Sequence, residues 1–96
     1  MNKLEGLKVS LVDENYIEDL KFSGTNVIAT IGVKGGAICA PILSLVINTP
    51  TSVTLKAPDF SIEWREIDIG SDYISVVRNG LQTKYKIVSS YTQNIS

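Results

Sequence analysis

The stretch 73–88 constrains this chain more than any other: alternating side chains on both sides flank Asn79-Gly80, a dipeptide that accepts the positive φ angles of a two-residue type I′ hairpin turn. Counting outward from the turn pairs Arg78 with Leu81, Val76 with Thr83 and Ile74 with Tyr85, and carries Ile87 onto the same face. The opposite face holds Tyr73, Ser75, Gln82, Lys84 and Lys86. One apolar and one wet face are what an antiparallel sheet with a one-sided core requires. The rest of the chain speaks the same language. Isoleucine, valine and threonine supply 28 of the 96 residues and alanine only four, and stiff β-branched side chains suit a pleated surface, so the expected class is all-β.

Short polar or Gly/Pro clusters at 13–15, 23–26, 34–36, 49–51, 58–59 and 70–72 separate the other apolar runs, and each is a turn signal. The runs 7–12, 16–22, 27–33, 37–47, 52–57 and 60–69, with the last hairpin, give about eight strands, most simply ordered as an antiparallel up-and-down meander. Leu7, Val9 and Leu11 share a face, as do Tyr16, Leu20 and Phe22, then Val27, Ala29, Ile31 and Val33, then Val53 and Leu55; these are the expected core positions. Two runs break their own period. In 60–69 the apolar positions switch from Phe60, Ile62 and Trp64 to Ile67 and Ile69, as if one extra residue sat at Arg65-Glu66, and in 37–47 the switch falls around Pro41. An extra residue is a β-bulge, which bends a strand and increases its twist, so a sheet closing into a small barrel is expected. For 13–22 a short helix capped by Asp13 competes with a strand, because Ile17, Leu20 and Lys21 also fit helical spacing.

A chain of this length makes one domain, 1–96, with the polar segment 89–96 expected to fray. A formal charge of −1 gives no field to gather phosphates, so nucleic acid is not an expected partner. The absence of histidine removes the usual triads, His-ligated metals and the commonest general base. Neither a metal nor another cofactor is expected. One cysteine, Cys39, makes no internal disulfide and no CxxC pair, so a reducing, cytoplasmic setting is the default. The longest apolar run, 37–47, is shorter than the roughly 20 residues of a spanning helix and contains Pro41, which argues against a membrane. Residues 1–12 lack the apolar core and cleavage site of a signal peptide, so the mature chain is expected to start near Met1 and the acceptor pattern Asn94-Ile95-Ser96 is discounted.

The order of features also resembles a family. Leu4-Glu5-Gly6-Leu7-Lys8-Val9, then the stretch from Asp19 through Phe22-Ser23-Gly24-Thr25-Asn26 to Val27, resembles the first strands of small lipocalin-like (calycin) barrels. Ser52-Val53-Thr54-Leu55, Ile62-Glu63-Trp64, Asp72-Tyr73-Ile74-Ser75-Val76 and the closing Thr83-Lys84-Tyr85-Lys86-Ile87 resemble the remainder. The resemblance lies in strand rhythm over most of the chain. It implies an up-and-down barrel whose interior holds a small apolar ligand. Eight strands leave an interior just wide enough for side chains or one small ligand, and the inward set here is bulky, so a filled core stands beside a pocket as an equal reading.

Three residues are the candidate ligand contacts. Arg78 falls on the apolar hairpin face one residue from the turn, where its guanidinium could meet a ligand carboxylate or simply reach solvent. Tyr85 could aim its hydroxyl inward or bond locally as a core ring, and Trp64 could stack on a ligand or only pack. Cys39, among Ile38, Ala40 and Pro41, reads as a buried inert thiol. Gly32-Val33-Lys34-Gly35-Gly36 lacks Walker spacing and reads as a hairpin turn. Acids crowd 13–19 and 59–72, whereas beyond Asp72 only Arg78, Lys84 and Lys86 are charged; cross-strand pairing of the acids of 60–69 with the final strand, as solvated decoration, is the expectation. Val12, Ile28 and Val77 point outward, as surface residues that meet a partner would. The leading expectation is a non-catalytic barrel that binds a small apolar ligand in the barrel or at its mouth. The alternative is a self-assembling or protein-binding module working through its outer surface, as a small phage or defence-related interaction protein would. An enzyme would have to work with Asp, Glu, Tyr, Lys or Arg alone.

Overall fold

A computed structural model of the chain describes residues 4–90, with side chains through Val88. All regular structure in this range is antiparallel β: β1 (Leu7–Leu11), β2 (Tyr16–Ser23), β3 (Asn26–Val33), β4 (Ile38–Cys39), β5 (Ile42–Thr49), β6 (Ser52–Lys56), β7 (Ser61–Ile69), β8 (Tyr73–Arg78) and β9 (Leu81–Ser90). The sheet runs β2-β1-β9-β8-β7-β6-β5-β3-β4, and a further β2–β3 pairing joins its ends. Eight strands thus form a closed up-and-down barrel, and the short β4 pairs with β3 in line with β5.

The final hairpin has the expected register, Arg78 opposite Leu81 and Ile74 opposite Tyr85, and its turn takes positive φ at both Asn79 (48°) and Gly80 (88°). Residues 13–22 are resolved in favour of the strand. β2 is laddered on both sides, against β1 and β3, so a helix would forfeit both sets of bonds. Asp13 caps a turn instead of a helix: its carboxylate accepts the backbone N–H of Asn15 at 2.7 Å and of Tyr16 at 3.0 Å.

One of the two expected bulges lies where the pattern placed it. The β7–β8 register shifts between Arg65 and Asp68, and Glu66 takes φ 52° to absorb the extra residue. The expectation at Pro41 is corrected. Gly32↔Ile38 and Ile31↔Cys39 before the proline keep step with Ile28↔Ile42 and Val27↔Leu43 after it, so no residue is inserted there. Pro41 accepts a bond from Ala29 N–H at 3.0 Å but has no N–H to return, and the gap splits one strand into β4 and β5. The extra residue comes later, between Ile47 and Thr49. A further shift falls between Lys8 and Val9 against β9.

Side chains of alternate residues fill the barrel: Val9, Leu20, Phe22, Val27, Ala29, Leu43, Leu55, Trp64, Ile74, Val76 and Tyr85 are buried, and Leu4 is buried with them. Leu7, Leu11 and Ile31 pack against this core partly exposed. Tyr16 and Val33 share the inward parity but are exposed, because they stand at the barrel end where the ladder stops. Ser89 and Ser90, expected in the frayed tail, belong to β9 and pair with Lys8 and Leu7; Met1 and 91–96, with the Asn94 acceptor pattern, lie outside the described residues.

Gly32 is where the short β4 meets the barrel. A Cβ there would stand 2.4 Å from the Ala37 carbonyl oxygen and 2.7 Å from Ile38 Cα, contacts with backbone that cannot swing away. Gly32→Ala is expected to lower stability by roughly 1–3 kcal/mol and to speed amide exchange at Cys39, whose N–H faces β3. Denaturant titration and hydrogen exchange read the two effects.

Candidate functional site

The period of two along β2 that buries Leu20 and Phe22 also points Glu18 inward, and its carboxylate is only 4% exposed. Burying a carboxylate in an apolar barrel is costly unless charge and hydrogen bonds compensate it. Both are supplied by the final hairpin. Arg78, the last residue of β8, donates Nη2–H to Glu18 Oε1 at 2.7 Å and Nε–H to Oε2 at 3.3 Å. Tyr85, inward on β9, donates its hydroxyl to Glu18 Oε2. The fork of the guanidinium matches the two carboxylate oxygens, and the phenol closes the set.

The electrostatics follow from this enclosure. Burial pushes the Tyr85 hydroxyl above the ordinary phenol value, and the charge of Glu18 and the bond to it push further; Arg78 opposes them more weakly. For Arg78, burial favours the neutral form, but the hydrogen bonds and charge of Glu18 outweigh it and leave the guanidinium more basic than usual. Near neutral pH Tyr85 therefore keeps its proton and Arg78 its charge, so neither is poised to exchange protons as general acid–base chemistry needs.

Beneath the network lies a column of rings. Trp64 packs against Tyr85 with centroids 4.8 Å apart, and against Phe22 at 5.7 Å. Trp64 and Tyr85 are both fully buried. Among the described residues the indole Nε1 has no acceptor in hydrogen-bonding geometry, although it is near enough to Tyr85 to favour a phenolate slightly. Above the network the barrel opens into a cleft of about 540 Å³, lined by Leu11, Tyr16, Ile31 and Leu81 together with Glu18 and Arg78. The Arg78 side chain remains 29% exposed there.

The candidate trio is thereby brought into one chain of contacts, with different exposures. Arg78 stands at the mouth, Tyr85 links it to the interior through Glu18, and Trp64 sits deep beside Tyr85. Glu18 was absent from the expected site. Its signal was present in the sequence, on the face of Leu20 and Phe22, but its neighbours Asp19 and Glu14 made it read as one acid in a solvated cluster.

Other expectations are corrected. Cys39 is exposed, because β4 continues the line of β5 along β3 past the point where the pairing with β6 ends. The acids of β7 do not reach the lysines of β9, since β8 lies between the two strands; Glu63 instead meets Arg65 of its own strand at 3.7 Å, and Lys84 lies 5.1 Å from the Tyr73 ring centre. The segment at Lys34-Gly35-Gly36 is the hairpin turn it was expected to be, with Gly35 at φ 77°. Among the described residues no three His, Cys, Asp or Glu side chains converge on a metal site, and no helix is long and apolar enough to cross a membrane. Comparisons with protein-family models, with curated proteins and with solved structures find no match for this chain.

Two outcomes test the network. Glu18→Gln leaves Arg78 without its counter-charge and should cost roughly 2–3 kcal/mol in urea unfolding. Tyr85 should stay protonated while an ordinary tyrosine ionises near pH 10, a difference seen by ultraviolet titration. Because its folded value is raised, its contribution to stability is complete below about pH 10 and is lost as pH climbs towards that folded value.

Proposed function

We propose that this chain is a non-catalytic, lipocalin-like binding barrel that takes a small amphipathic molecule at its mouth. The supporting observation is the cleft of about 540 Å³ that has Arg78 in its wall. Glu18 engages only Nε and one side of Nη2, so the guanidinium keeps N–H donors for an acceptor group on a ligand. Leu11, Ile31 and Leu81 offer an apolar lining beside it. A volume of this size lies within the usual range for small-molecule sites, and an apolar wall with few placed polar groups is their usual character. In this reading Arg78 touches the ligand, Tyr85 and Glu18 hold the guanidinium in place, and Trp64 reports occupancy from below. The ring column fills the space beneath, which favours the mouth over the interior. The free thiol fits a reducing, cytoplasmic setting.

Anilinonaphthalene sulfonate, an anion with an apolar body, is a suitable probe. It should bind with a rise in its fluorescence and a change in that of Trp64, and Arg78→Gln should weaken binding by about tenfold or more, the worth of a charge-assisted bond. Leu81→Asp provides a second variant that spares the fold, since Leu81 is 72% exposed, and it should weaken binding too. Binding that neither variant alters would remove the mouth as the site.

A second reading, a surface that recognises protein, has its own observation. Ile28, Ile38, Ile42 and Val46 are all exposed on neighbouring strands β3, β4 and β5.

A further inference from the structure

Most strands in this molecule have a neighbour on each side. β4 ends the sheet order and, among the described residues, pairs with β3 alone. Val33 N–H donates to the Ala37 carbonyl at 3.2 Å and Ala29 N–H to that of Pro41 at 3.0 Å, so Ala37, Cys39 and Pro41 turn their backbone groups toward β3. By the alternation of antiparallel pairs, Ile38 and Ala40 turn theirs to the opposite side. β6 does not cover that side, because its pairing with β5 ends at Ser44↔Lys56. Prolines commonly guard sheet edges by withholding a donor. Here the missing N–H of Pro41 faces β3, and the outer edge keeps both its donors and its acceptors.

The side chains beside this edge are apolar and exposed, Ile38 at 52% and Ile42 at 64%, with Ile28 directly opposite Ile42. From 35 to 55 the chain has no charged residue. A contact between two copies related by a two-fold axis sets a surface against itself, so any charge on it would meet its like. This segment carries none, and its edge presents donor and acceptor in an order that is complementary to itself when reversed.

We propose that β4 pairs antiparallel, across a two-fold axis, with β4 of a second copy of this chain. In this register Ile38 exchanges N–H and C=O with Ala40 of the second copy. Cys39 then lies opposite Cys39 of the second copy in a non-hydrogen-bonded pair, with Cα atoms about 4.5 Å apart, within disulfide reach. The shortness of the strand makes the association weak and concentration-dependent, as small interfaces are, while Ile28, Ile38 and Ile42 from both copies shelter its bonds from water.

Sedimentation velocity from micromolar to near-millimolar concentration, with mild oxidation by copper phenanthroline, tests this on the unmodified chain. The expected result is a dimer that grows with concentration and is trapped by a Cys39 disulfide. Ile38→Lys and Ile42→Lys place charges at exposed positions that do not support the core, and each should weaken the dimer tenfold or more. Val88→Lys, equally exposed on β9, should leave it unchanged. A monomer at every concentration, or a dimer indifferent to Ile38→Lys, overturns the proposal and leaves the edge to a strand of another protein. A dimer that Ile38→Lys weakens but that Cys39 never cross-links overturns the two-fold antiparallel register.

Discussion

Closure of the sheet is the constraint from which the remaining features follow. β1 pairs with both β2 and β9, and β2 pairs with β3, so the first and last parts of the chain share one ladder. A sheet closes only if its strands tilt, twist and bend, and the bulges in β5, β7 and β9 provide the bending. Once eight strands close, the interior is narrow. It must be filled to the density of a solid core, and the bulky rings of Trp64, Tyr85 and Phe22 do so.

A narrow closed interior also accounts for the charged network. Position 18 is carried inside by the pleat of β2 whatever residue occupies it. A carboxylate there is tolerable only because Arg78 and Tyr85 arrive from the opposite end of the sequence, 60 and 67 residues away, with bonds for both of its oxygens. Against an apolar replacement such a network brings little net stability. Its retention at the barrel mouth is more easily understood as positioning: it fixes a guanidinium that would otherwise range freely, at the edge of an apolar cleft. This is the physical ground of the functional proposal.

The open edge at β4 is managed in an unusual way. β4 is very short, which limits aggregation, but Ile38 in it and Ile42 just beyond it stand where edge strands often carry lysines, and Pro41 between them withholds its donor from the inner side. Gly32 allows it to lie close against β3. The edge is held in place and left competent for pairing.

Much of this was legible in the sequence. Asn79-Gly80 determined the register of the last hairpin, because the turn fixes which residues face each other, and the parity switch at Arg65-Glu66 located a bulge. The β-branched composition and the spacing of turn residues determined an all-β meander. These are local properties: a period of two and a turn type are set by neighbours in the chain. Other features were decided only in three dimensions. The break at Pro41 looked like an inserted residue, and only the pairing with β3 shows an unbroken register. Glu18 has the parity of a core residue and the chemistry of a surface one, and composition could not arbitrate until Arg78 and Tyr85 were placed beside it. Cys39 looked buried from its apolar neighbours and is exposed because its strand runs on past the end of the β6 pairing. The sequence by itself determined which faces are apolar and where the chain turns; the tertiary structure alone decided which charges meet and which edge stays open, because both depend on strands distant in sequence closing around a common axis.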